Sequence, residues 1–262
     1  MELSNRLQAV ADLLDCHEAI ADIGCDHGFV SIYLIESKKA SKVLAMDVNK
    51  GPLERAMEHI NEKQLSTYIE TRLSDGAKAI GFVEDEDGTV KIEVQAALIA
   101  GMGGRLMIRI LQDSIDKFTK MDEFVLQPQS EIPKVRQYIR DMGYYIEKEN
   151  MILEDGKYYP MMKVVRLSQA NRMEENVPQH IKYKLEQEGF SLQDLYDEYG
   201  EYLLKNKNGV LLHFLKYEKE LYSDILKKLM QTDTNKGELR QKEIEQKMKF
   251  INLGLEWFLD EM

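Results

Sequence analysis

Cysteine is nearly absent: Cys16 and Cys25 are the only two in 262 residues. Two thiols cannot build a disulfide framework, so a reducing, cytoplasmic setting is expected. No stretch approaches the ~20 consecutive apolar residues that a membrane span needs. The opening residues, MELSNRLQAV, are polar and amphipathic and lack the apolar stretch of a signal peptide, so none is expected. Positive charge is not in excess. Lys and Arg number 35 against 46 Asp and Glu, a formal net charge of −11. That excludes a protein that coats nucleic acid by bulk charge, while leaving room for a local basic face. No internal repeat or low-complexity tract is visible.

Apolar residues make up 44% and charged residues 31%, the balance of a globular chain. The length suits one large domain, or one domain with an appendage, and allows a sizeable core. Residues 2–14 place Leu3, Leu7, Val10, Leu13 and Leu14 on one helical face. Strands are expected at about 19–23, 42–47, 67–73, 96–100 and 123–127, with helices at 29–36, 52–63, 105–115 and 131–141 between or after them. The acidic run at 84–88 is expected to be a solvated surface turn. Tyr144 to Leu153 and Tyr158 to Leu167, around Asp155-Gly156-Lys157, read as an antiparallel pair. The alternation implies an α/β fold: a mostly parallel Rossmann-like sheet with helices on both faces and an antiparallel closing hairpin. Such sheets bind ligands beyond the carboxyl ends of their strands.

Composition shifts after about residue 168, which divides the chain into domains at 1–167 and 168–262. Ile244, Met248, Ile251, Leu255 and Phe258 follow 4-3-4-3 spacing, and Leu211, Leu215, Tyr222, Ile225 and Leu229 form a second stripe. Two long antiparallel helices, a coiled-coil-like hairpin, are expected, with a polar break at Thr232 to Lys236. The segment 168–209 reads as helical turns with exposed aromatics: Tyr183, Phe190, Tyr196, Tyr199 and Tyr202.

Four elements carry chemistry. The first is A-D-I-G-C-D-H-G at 21–28, between a strand and a helix. Gly24 allows a tight turn and close backbone approach, and Gly28 opens the next helix, whose amides face a ligand. A dinucleotide fingerprint would carry a third glycine at position 26, where this chain has Asp26. An acid there opposes a pyrophosphate and suits a ligand with positive charge. That favours S-adenosylmethionine, with its ammonium and sulfonium, over NAD. The second is Asp47, followed by Val48, at the end of the second strand, where an acid accepts both ribose hydroxyls. The third is Ser74-Asp75-Gly76 after the third strand, its acid placed to accept from an adenine amino group. The fourth is Gly101-Met102-Gly103-Gly104 after the fourth strand, which either lets a planar base approach or packs tightly against the next helix. It holds no N-P-P-aromatic element, which argues against methylation of an exocyclic amine. Cys16-His17 and Cys25-x-His27 lack the spacing of a metal site, so no metal is expected.

With these motifs the chain resembles the class I, Rossmann-like S-adenosylmethionine-dependent methyltransferases. More narrowly, it resembles the bacterial TrmK family of tRNA (adenine-22-N1)-methyltransferases. The residues that carry this are L-S-N-R-L at 3–7, A-D-I-G-C-D-H-G at 21–28, I-A-G-M-G-G at 99–104, L-Q-P-Q at 126–129 and D-G-K-Y-Y at 155–159. Cys25 stands where the family often has serine. The resemblance implies methyl transfer to N1 of an adenine in the D-arm of tRNA, with tRNA as partner and a monomeric state favoured. It places Asp22, Gly24, Asp26, His27, Gly28, Asp47, Val48, Asp75, Gly76 and Gly101 at the cofactor. Asp26, Gly101 and Met102 are the catalytic candidates, with Asp26 set to steady the cationic product or to accept from the methionine ammonium. Arg6, Gly103, Gly104, Gln127, Gln129, Tyr158 and Tyr159 are the substrate-binding candidates.

The C-terminal part is acidic overall, net −4, and the first 167 residues net −7. Lys205, Lys207, Lys216, Lys219, Lys227 and Lys228, with Lys236, Arg240 and Lys242, are candidates for a phosphate-facing stripe. A small-molecule methyltransferase with the hairpin as lid, an NAD-dependent oxidoreductase, and a non-catalytic cofactor-binding adaptor are the competing readings.

Overall fold

The structure is a computed structural model that describes residues 3–84, 87–166, 177–229 and 235–259. The chain forms two compact units, Met1–Lys148 with Ile152–Asn171, and Glu149–Met151 with Arg172–Met262. The boundary expected at residues 167 and 168 lies outside the described residues.

In the first unit α1 (Asn5–Asp12) is capped by the Ser4 hydroxyl, which accepts from the Leu7 amide. It is shorter than the 2–14 expected. There follow β1 (His17–Ile23), α2 (Phe29–Glu36), β2 (Ala40–Asp47), α3 (Lys50–Glu62) and β3 (Ile69–Leu73). A small hairpin, β4 (Phe82–Glu84) and β5 (Val90–Ile92), flanks the acidic run expected as a plain turn. Its strands are too short and too exposed to leave an alternating signature. Residues 85 and 86 of that run are outside the description. Then come β6 (Ala96–Met102), α4 (Gly104–Asp113), α5 (Ile115–Phe118), β7 (Glu123–Pro128), α6 (Ile132–Asp141), β8 (Tyr144–Glu154) and β9 (Lys157–Arg166). The helix expected over 105–115 breaks at Ser114, which leaves helical geometry at φ −133°.

Seven strands form one sheet in the order β3-β2-β1-β6-β7-β9-β8. The first five run parallel, and β9 pairs antiparallel with β7. Asp155 and Gly156, both at positive φ, turn β8 into β9 as a two-residue hairpin demands. The strand pleat divides the core. Ala19, Ala21 and Ile23 of β1 and Ala97 and Ile99 of β6 face Met107, Ile110, Phe118 and Ile139 on one side. Ile20, Ala96 and Leu98 face Val10, Leu34, Ala56 and Ile60 on the other. Both faces are buried, which is why β1 and β6 read as continuous apolar runs.

An ion cluster sits where β7 begins, at the edge opposite the carboxyl ends of the parallel strands. Lys163 Nζ lies 2.5 Å from both Glu123 and Asp15. Glu123 also takes the Asp15 amide at 2.6 Å and pairs with His17 Nε2 at 3.0 Å. Burial works against the Glu123 charge, but His17 and Lys163 outweigh it and hold the carboxyl below its usual range.

The second unit contains α7 (Gln179–Glu188), α8 (Leu192–Tyr199), α9 (Glu201–Lys205), α10 (Gly209–Leu229) and α11 (Asn235–Leu259). α10 and α11 pack against each other. Ile244 and Ile251 are buried as the 4-3 seam requires, but Leu253 and Trp257 are buried as well, so the apolar face is wider than a two-position seam. Gly254 brings α11 close, since a Cβ there would lie 3.1 Å from Leu215 and 3.3 Å from Tyr199. Three aromatics expected to be exposed are not. Tyr196, Tyr199 and Tyr202 are buried, and Tyr196 meets Trp257 edge-on at 6.0 Å. Periodicity within 168–209 is too short to reveal this, because α11 supplies the covering surface from far along the chain. Tyr183 is exposed, and Phe190 stacks on Phe250 at 4.2 Å. Lys205 leaves the proposed cationic stripe: its side chain is 5% exposed and pairs with Glu201 at 2.6 Å. Lys227 and Arg240 pair with Asp224 and Glu243 at the surface. Of the polar break expected over 232–236, residues 232–234 and the Lys236 side chain lie outside the described residues, while Asn235 and Lys236 already belong to α11.

Gly104 shows how tightly β6 hands over to α4. A Cβ there would run into the Ser130 carbonyl oxygen and sit 3.1 Å from Val135. Gly104→Ala is therefore expected to cost ~1–3 kcal/mol by overpacking, more than the ~1 kcal/mol that alanine gains in a helix. Thermal denaturation should show a lower Tm; an unchanged or raised Tm contradicts this packing.

Candidate active site

The carboxyl ends of β1, β2, β3 and β6 surround a cavity of about 550 Å³. Its form begins at Gly24. The amides of Gly24 and Cys25 both donate to the Met46 carbonyl of β2, at 2.8 and 2.9 Å, which turns the chain sharply after β1. Gly24 sits at φ +81°, and a Cβ there would collide with the Met102 methyl. Asp26 follows at φ +48°, a conformation that Asp tolerates, with its side chain largely exposed. The His27 Nε2 is 3.6 Å from the Asp26 carboxylate.

The acids differ in environment. Asp22 is buried and accepts the Ser31 hydroxyl at 2.6 Å. Burial, with Asp47 nearby, pushes its carboxyl up to about 6. Asp47 accepts the Asn49 amide at 2.8 Å, which leaves its other oxygen for the cavity. Asp75 is half-exposed; Lys78, at 2.5 Å, holds its carboxyl below the usual range, and Arg109 lies 3.9 Å away. Cys25 lines the cavity, buried, and burial together with Asp22 and Asp47 pushes its thiol far up, so it stays protonated.

The β6 side is held by Gln127, which is fully buried. Its Oε1 accepts from Arg6 at 2.9 Å and from the Gly101 amide at 3.1 Å, while its Nε2 donates to the Pro128 carbonyl at 3.2 Å. Gly101 is thereby fixed at φ +76°. Arg6 is further oriented by Glu154, which accepts its backbone amide at 3.2 Å, and its guanidinium lies over the Tyr159 ring at 5.0 Å.

The cavity gathers Arg6, Asp22, Gly24, Asp26, His27, Asp47, Val48, Asp75, Gly76, Gly101, Met102 and Gln129. Other residues singled out in the sequence stand elsewhere. Gly28 caps α2 and packs on Ala56, with its amide turned to the Cys25 carbonyl at 2.7 Å. Gly103 and Gly104 pack against Ser130 at the start of α4, the tight-packing alternative for that glycine run. Gln127 stands behind the wall with both ends of its amide engaged, and Tyr159 reaches the cavity only through Arg6. Tyr158 does not line it. Cys25 and Ser74, which stand within the first and third motifs, line it too, as do Leu106 and Arg109, which were not singled out. Arg105 and Arg109, four apart on the helix that leaves β6, carried a usable signal: that helix starts at the ligand edge, opposite its apolar face. Among the described residues no cluster of three His, Cys, Asp or Glu is placed to hold a metal, and no helix is long and apolar enough to cross a membrane.

The family model described as a methyltransferase domain matches residues 3–162. A Bacillus subtilis tRNA (adenine(22)-N(1))-methyltransferase is 29% identical over 252 residues, 96% of either chain. The crystal structure of the B. subtilis m1A22 tRNA methyltransferase TrmK superposes with a TM-score of 0.75 at 27% identity, covering 97% of this chain and 99% of that one. TrmK of M. capricolum, solved with the cofactor product S-adenosyl-homocysteine, gives 0.75 at 25% identity, covering 98% and 100%.

An acid whose folded value is raised to about 6 destabilises the fold once it ionises. The penalty is absent below the unfolded value near 4, grows between, and is complete above 6, on the order of 3 kcal/mol. Asp22→Asn should therefore raise Tm by several degrees at pH 7.5, and the gain should shrink toward pH 4. A lower Tm at pH 7.5 contradicts this placement of the charge.

Proposed function

The chain belongs to the methyltransferase-domain family, and on that premise we propose that it transfers a methyl group from S-adenosylmethionine to N1 of adenine 22 in the D-arm of tRNA. The observation that carries this reading is the one cavity in which the ends of β1, β2, β3 and β6 present four carboxylates and three positive-φ glycines. A phosphate-bearing dinucleotide would meet Asp26 and the buried Asp22 head-on. A cationic methionine end would be welcomed by both. Acting on tRNA places the work of the protein in the cytoplasm.

The residues present fit the cofactor. Gly24 leaves the backbone bare where Asp22, buried and needing a cation, faces the cavity. Asp47 would hold the ribose hydroxyls through the oxygen its Asn49 bond leaves open. Val48 and Gly76 would flank the adenosine, and Asp75 would face its amino group. When bound, S-adenosylmethionine supplies an electrophilic sulfonium methyl. Adenine N1 offers a lone pair and loses no proton, so the chain need supply no general base. Its task is to extract the base from the RNA and hold N1 in line. Gly101, pinned by Gln127, gives the incoming ring a flat approach without a side chain. The methylated base is cationic, and Asp26, at the open mouth of the loop, would steady that charge as it develops. Arg105 and Arg109, on the helix beside the cavity, are exposed enough to reach RNA phosphates.

Labelled methyl transfer to unmodified tRNA transcripts, with the nucleoside identified by mass, tests the reading. N1-methyladenosine should appear and vanish when adenine 22 is replaced. Asp26→Asn should lower kcat about 100-fold without loss of fold, since Asn tolerates the same positive φ. Unchanged kcat and cofactor affinity would remove Asp26 from both roles. Transfer to no RNA, with cofactor still bound, would contradict the substrate and leave a small-molecule enzyme or an adaptor.

A further inference from the structure

A second cavity, of about 910 Å³, opens between α1, α2 and α3. It is lined by Asn5, Gln8, Phe29, Tyr33, Glu62 and His59 among others, and nothing in the reaction described above uses it. Phe29 lines both this cavity and the one at the strand ends. It belongs to a cluster of three rings: Phe29 stacks with His59 at 4.7 Å and 26°, and His27 lies 5.8 Å from Phe29 and 6.0 Å from His59, so the three centroids form a triangle. His27 borders the first cavity and His59 the second. The rings are half-buried rather than closed into the core. His59 Nδ1 lies 2.9 Å from the His27 carbonyl and donates to it, which fixes the ring and leaves its other nitrogen as an acceptor.

We propose that this second cavity takes the base of a nucleotide next to the target adenine, stacked on the His59–Phe29 tier. The inference rests on the tRNA reading above. A base is the occupant because the walls offer flat rings with amide, hydroxyl and carboxylate groups at their edges. A phosphate is not, because Glu62 faces the cavity and the cavity's own lysine, Lys63, is already paired with Glu36 at 2.9 Å. The acceptors favour a base with an exocyclic amino group. Pulling adenine 22 from its stack strands its neighbour, and a second stacking platform that shares Phe29 with the first cavity recovers part of that cost.

The test uses the full chain with two sets of changes. His59→Ala should lower kcat/KM for tRNA about 10- to 100-fold, as loss of one base–aromatic stack does, while calorimetric affinity for S-adenosylhomocysteine stays unchanged. His59→Phe should restore activity, because it keeps the ring and discards the hydrogen bond to His27. A tRNA with an abasic residue on one side of adenine 22 should lose the same factor with the unaltered protein, and the two losses should not multiply. Should His59→Ala fail to fold, the abasic substrates decide alone. Full activity of His59→Ala, or of both abasic tRNAs, overturns the proposal while methylation by the unaltered protein leaves the tRNA reading standing. An unaltered protein that methylates no tRNA overturns both.

Discussion

The turn after β1 needs a left-handed backbone, and the candidate active site depends on that. Gly24 sits at φ +81°, and the Met46 carbonyl grips the amides of Gly24 and Cys25 together. Two strand ends are tied by those contacts: β1 by the turn and β2 by its carbonyl. A Cβ at Gly24 would meet the terminal methyl of Met102, a flexible side chain that can turn aside, so the stronger constraint is the positive φ, which strains any other residue. The sharp turn that opens the cavity therefore follows from a backbone conformation at one residue, and the charges are distributed around it.

Those charges are held at some expense to the fold. Asp22 is buried with the hydroxyl and the backbone of Ser31 as hydrogen-bond partners and with Asp47 near enough to repel it. A structural carboxylate at this depth would be paired with a cation, as Glu123 is with Lys163 at the far edge of the sheet. The contrast between these two buried acids separates scaffold from site. One is compensated within the chain, and the other, on the function proposed, would meet its positive charge in the cofactor.

Much of this was legible because it is local. The apolar runs of β1 and β6, the glycines after them, and the acids Asp22, Asp47 and Asp75 all announce themselves within a few residues, and an alternating α/β chain must bring successive strand ends to one edge. What stayed hidden depends on long-range partners. Gln127 looks like a substrate contact until Arg6 and Gly101, from distant elements, are seen to occupy it. Tyr196, Tyr199 and Tyr202 look exposed until α11 returns to cover them. Gly103 and Gly104 carry the same letter as Gly101, yet only Gly101 has positive φ and faces the cavity. Glycine in a sequence states that a Cβ is absent but not which neighbour required it.

On the function proposed, Asp22 is a buried anion kept for the cationic end of the cofactor. Calorimetric titration with S-adenosylhomocysteine across pH 5–8, in buffers of differing ionisation enthalpy, addresses it directly. Binding should release protons, increasingly as pH falls toward and below about 6, the value to which burial pushes Asp22, and affinity should weaken over the same range. Both effects should vanish in Asp22→Asn. Binding with no proton linkage, and with the same affinity in that variant, would contradict it.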